Sequence, residues 1–68
     1  MKYYVATRGD HLRTLKEKGF EPQLNKTRHG TVTETAIPAW MYKDLADAAA
    51  AISAATGQDV LYATTLKE

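Results

Sequence analysis

The spacing of apolar residues changes along this chain, and each change marks an element. Met41, Leu45, Ala48, Ile52 and Ala55 recur at intervals of 4, 3, 4 and 3. At about 100° per residue they fall on one narrow stripe, the pattern of a helix lying on a core. Pro38 suits a first helical turn, where its missing N–H costs nothing. No Gly or Pro interrupts residues 39–56, and eight of those residues are Ala, the best helix former. Gly57 then supplies a left-handed stop. The pattern predicts a helix over residues 38–56, with the other segments supplying the surface it covers.

Those other segments are shorter. Residues 2–7 read as a strand, because Tyr3, Tyr4 and Val5 favour a pleated surface. Arg8-Gly9 ends it, and Asp10 is a suitable N-cap for a short helix over residues 11–18. Leu12 and Leu15 face inward there, Gly19 closes the helix, and Phe20 can fold back on its end. Residues 23–28 form a polar strand that Pro22 assigns to a sheet edge. His29-Gly30 reads as a turn, and residues 31–37 as a stronger strand rich in β-branched side chains. Residues 59–66 form the last strand.

The resulting order, βαββαβ in one domain over residues 1–68, is the ferredoxin-like arrangement. It is an α+β fold with a small antiparallel sheet and two helices on one face. The first and third strands are expected at the centre, and the other two at the edges. A sheet lacking the weak second strand is the alternative.

Composition narrows the chemistry. The chain has 68 residues and no Cys, so disulfides and thiolate metal sites are excluded. His11 and His29 are the only imidazoles, too few for a structural zinc. No apolar run reaches the roughly 18 residues of a membrane span, and Met1 to Val5 is not followed by the apolar stretch of a signal peptide. The expected compartment is the cytoplasm. Net charge is only +1. Its distribution is uneven, with seven Lys or Arg among the first 29 residues and two among the last 39.

Catalytic constellations are missing from the pattern. There is no glycine-rich phosphate loop, and Ser53, the one serine, sits within a helix. An enzyme is therefore not expected, and neither is a cofactor. Asp44 and Asp47 could share a cation, but a carboxylate pair in a first turn is explained by the helix dipole. Arg8-Gly9-Asp10 spells an adhesion tripeptide, which a turn glycine and an N-cap aspartate also explain. The suggestive polar run is Lys26, Arg28 and His29 at the end of the hairpin, able to contact phosphates or simply to protect an edge. Trp40 and Tyr42 flank the helical stripe, near Asp44, and either cover the rim of the core or anchor a partner. The far side of that helix carries Lys43, Asp47, Ala50 and Ala54. The sheet face away from the helices is a possible RNA platform, with Tyr3 or Tyr4 and Tyr62 or Leu61 on it. The RNP1 pattern is absent.

The segment from Leu12 through Gly19-Phe20-Glu21, with His29 and then Ala36-Ile37-Pro38, resembles the HicA-type mRNA interferase toxins. Those have a short helix ending in Gly-Phe or Gly-Trp and a hairpin bearing a catalytic His. The resemblance covers about 27 residues and implies a ribonuclease role for His29. Thr27-Arg28 stands where that family has Gly-Ser, and a strand precedes the helix here. The main expectation is a small non-enzymatic binding or inhibitor protein of the phage or mobile-element accessory type, such as an anti-CRISPR. It would act on a protein or ribonucleoprotein partner through Lys26, Arg28, His29, Trp40, Tyr42 and Asp44. Nucleic-acid binding by the basic half is the alternative, and a monomer is slightly favoured over a homodimer.

Overall fold

The computed structural model describes residues 1–28 and 30–66. The elements are β1 (Lys2–Arg8), α1 (Leu12–Glu17), β2 (Glu21–Thr27), β3 (Gly30–Pro38), α2 (Leu45–Thr56) and β4 (Val60–Leu66). The strands form one antiparallel sheet in the order β2-β3-β1-β4. β1 and β3 are central and β2 and β4 are edges, as the sequence pattern requires.

Alternation along the central strands builds the core. Tyr3, Val5 and Thr7 of β1 stand opposite Ile37, Thr35 and Thr33 of β3. Tyr3, Val5 and Ile37 form one buried cluster with Leu15 of α1 and with Ala48 and Ile52 of α2, so both helices cover the same face. Phe20, Leu45, Ala55, Val60 and Ala63 close its margins. Burying a side chain such as Ile52 stabilises the fold by about 1.5–3 kcal/mol. The opposite face carries Tyr4 and Ala6 of β1 and Val32, Glu34 and Ala36 of β3. Val32 is buried there too, in register between Arg8 of β1 and Asn25 of β2.

The long helix begins later than its pattern predicts. β3 continues through Pro38, which pairs with Lys2. A turn follows, with the Met41 N–H donating to the Pro38 carbonyl at 3.1 Å. Asp44 is the N-cap, its Oδ1 accepting from the Asp47 N–H at 2.9 Å, and the helix starts at Leu45. The fixed φ of proline fits the end of a strand as well as a first helical turn, and the residue before it is pushed to extended backbone. Met41 therefore leaves the stripe and lies in the loop, 37% exposed. Ala48 and Ile52 keep their place in the core, and Gly57 closes the helix with φ +71°.

The first helix also differs in its start. It covers Leu12–Glu17 with His11 at the cap position, and Asp10 accepts from the Leu12 N–H at 3.2 Å. The His11 N–H donates instead to Thr33 Oγ1 at 2.9 Å, which ties the helix entry to β3. Its end is as expected: the Phe20 N–H reaches the Leu15 carbonyl at 3.0 Å, and Phe20 rests on the core. β2 begins at Glu21 and includes Pro22, which an edge strand tolerates. Arg28 falls in the turn rather than in the strand.

Candidate functional site

Residues 39–44 connect β3 to α2 and hold three of the candidate residues. The structure gives each a different task. Tyr42 is half-buried against the core, and its carbonyl accepts from the Tyr3 hydroxyl at 3.4 Å. The Asp44 carboxylate is engaged as the cap of α2. Trp40, between the turn and these two anchors, is 83% exposed. Trp40 is therefore the one of the three whose side chain is left to meet a partner. The neighbouring Lys43–Asp47 pair, at 3.8 Å, is an exposed i,i+4 contact of small worth.

The basic hairpin is a separate place. Lys26 and Arg28 are exposed, and His29 lies outside the described residues. Lys26 borders a shallow hollow of about 390 Å³ together with Asp10, Leu24, Asn25 and Thr31. Thr27 pairs with Gly30 at one end of β3, whereas Trp40 follows Pro38 at the other. At about 3.3 Å per residue these two ends lie on the order of 25 Å apart. The molecule is only 29 Å in its longest dimension. The described candidate residues thus fall into two groups at opposite ends of β3.

The face opposite the helices carries Tyr4 and Tyr62, which resolves the alternatives left by alternation. Tyr62 stands beside Ala6, and Ala6 beside Glu34, so the three form one row across the sheet. The Tyr62 hydroxyl donates to Glu34 Oε2 at 2.7 Å, passing over Ala6, which is only 1% exposed. Glu21 and Glu34 border a hollow of about 240 Å³ with Lys2, Tyr4 and Gln23. Glu21 and Glu34 balance Lys2 and Arg8 on this face, and its tyrosine is already engaged, so the face has no excess of positive charge to draw phosphates.

That hydrogen bond has a pH signature. It holds Tyr62 above its ordinary 10.0, reinforced by partial burial and by the carboxylate charge. A raised pKa in the folded state means that the contribution is complete below pH 10 and disappears as pH climbs through the raised value. Tyr62→Phe should cost a few tenths to about 1 kcal/mol at neutral pH, the range of exposed polar pairs. Urea midpoints of both proteins from pH 7 to 11 should converge at the alkaline end. A gap that widens with pH would contradict the bond.

The Arg8-Gly9-Asp10 loop is held from beneath. Gly9 has φ +97°, and its carbonyl accepts from Thr33 Oγ1 at 2.7 Å. The Gly9 N–H reaches the Thr31 carbonyl at 2.8 Å, and His11 Nε2 lies 2.8 Å from the Arg8 carbonyl. Gly9 makes the turn and Asp10 supports α1, so the tripeptide is accounted for by local structure. Among the described residues no three His, Asp or Glu side chains converge as a metal site. Sequence reasoning missed the Tyr62–Glu34 bridge and the Thr33 relay, both of which depend on strand register. The chain matches no protein-family model, no curated protein and no solved structure.

Proposed function

We propose that the chain is a small non-enzymatic protein-binding domain, anchored by Trp40, that occupies a surface on a larger protein or ribonucleoprotein assembly. An inhibitor of the phage or mobile-element accessory type, such as an anti-CRISPR, is the kind of protein this describes. We read its βαββαβ order and β2-β3-β1-β4 sheet as a ferredoxin-like arrangement. The observation that carries the reading is the 83% exposure of Trp40 on a loop braced on both sides. Tryptophan dominates interface hot spots, and a braced loop loses little freedom on binding. Nucleic-acid binding through Lys26 and Arg28 is less well supported, because Asp10 shares the Lys26 hollow and the open sheet face balances Lys2 and Arg8 with Glu21 and Glu34. The ribonuclease reading rests on His29.

Trp40 is the only tryptophan, so it reports on its own contact. Free protein should emit as water-exposed indole and shift to the blue with a bound partner. Capture from the native host with the wild-type chain should retain a protein that Trp40→Ala binds about thirtyfold more weakly, the loss of a 2 kcal/mol hot spot. The variant should melt with the wild type. Equal retention by both, or retention only of nucleic acid lost with salt, would overturn the proposal.

A further inference from the structure

The two edges of the sheet are treated differently. β2 carries the devices that discourage edge-to-edge pairing, namely Pro22, Glu21 and Lys26. β4, Val60–Leu66, has no charge, no proline and no glycine along its length. Its one irregularity is the register shift at Leu61, which leaves residues 62–66 regular. Two large apolar side chains stand exposed on that stretch, Tyr62 at 43% and Leu66 at 47%. They lie on the same face, two positions either side of Thr64.

We infer that β4 pairs antiparallel with β4 of a second copy, across a two-fold axis at Thr64. In that register Tyr62 faces Leu66 of the second copy, and Leu66 faces its Tyr62. Because the Tyr62 ring leans over Ala6 toward Glu34, Leu66 of the second copy packs on its outward side near Cβ, and the same contact occurs twice across the axis as an aromatic–aliphatic cross-strand pair. Thr64 meets Thr64, and Ala63 meets Thr65. A neutral strand meets its own copy without repulsion, and a two-fold interface must be self-complementary in this way. The helix side also fits. α2 packs over β1 and β4, so two strand spacings, about 9.6 Å, separate it from its mate. That is within the 8–10 Å at which helices pack. The product is a continuous eight-stranded sheet. Its short seam places the pairing in the weak class of interfaces, below about 1,200 Å².

The absence of native cysteine makes the register directly testable. Thr64→Cys should form a cross-linked dimer under mild oxidation, much faster than Thr65→Cys, whose side chain faces Ala63 rather than its own copy. Sedimentation should show a monomer near 1 µM and a growing dimer over hundreds of micromolar, as expected for a weak seam. Thr64→Lys, which sets two ammonium groups opposite each other, should weaken dimerisation at least tenfold with its circular dichroism unchanged. A chain that stays monomeric up to millimolar concentration would overturn the inference. So would cross-linking that favours position 65, or a dimer indifferent to Thr64→Lys. If Thr64→Lys does not fold, the cysteine pair and the wild-type sedimentation still decide the matter.

Discussion

Truncating Ile52 to alanine should cost about 2–5 kcal/mol, the range for deleting a buried aliphatic side chain. Ile52 is fully buried in the cluster that joins α2 to Tyr3, Val5 and Ile37. The cluster is small, and domains of this size hold only about 3–10 kcal/mol of net stability. One truncation should therefore remove on the order of half of the stability, and the urea midpoint should fall in proportion. Ala54→Gly, on the exposed side of the same helix, is the comparison. It should cost about 1 kcal/mol through helix propensity alone. Similar losses at the two positions would mean that α2 does not rest on the sheet by the face described.

The buried threonines should respond to valine in opposite directions. Thr7, Thr33 and Thr35 are all fully buried on the helix-covered face. The hydroxyls of Thr7 and Thr35 have no hydrogen-bond partner among the described residues. That of Thr33 donates to the Gly9 carbonyl and accepts from the His11 N–H. A buried, unpaired hydroxyl costs about 1–3 kcal/mol, and valine has nearly the same shape without it. Thr35→Val should therefore stabilise the fold by about 1 kcal/mol or more. Thr33→Val should destabilise it by about 1–3 kcal/mol, because the Gly9 carbonyl and the His11 N–H lose their partner. Urea unfolding of the two variants checks the contrast. Stabilisation at both positions would remove the assigned role of Thr33 as the tie between β3 and the start of α1.

Those residues also show where sequence reading reaches its limit. The element order and the edge assignment of β2 were legible, because Pro22 and the polar pattern there have direct physical meanings. The stripe of Ala48 and Ile52 was legible for the same reason. The start of α2 was not, because Pro38 fits both a strand end and a first helical turn. Met41, four residues before Leu45, then extended the helical spacing by coincidence. The deciding signal was present in Asp44 with Asp47 three residues later, a cap with an acidic first turn. Thr33 and Thr35 look alike in the sequence, and only the register with β1 and the loop at Gly9 separates them. The candidate site was partly legible: Trp40 was singled out, but its separation from Lys26 and Arg28 follows from the length of β3. Tyr62 and Glu34 are brought together only by Ala6 lying between them in the sheet.

The central position of β1 has a consequence for the order in which the sheet forms. β1 is the first of the six elements, yet one of its two neighbours is β4, the last of them. The β1–β4 ladder sets Tyr3 opposite Thr65, a pairing that spans nearly the whole chain, whereas β2 and β3 meet across a hairpin. Closing the longer span costs more chain entropy, so this ladder is expected to form last when the protein refolds. Until it does, the outer edge of β1 is unpaired and open to other chains. A destabilising substitution in β4, such as Ala63→Gly, should therefore act mainly on the unfolding rate, and one in the β2–β3 hairpin mainly on the folding rate.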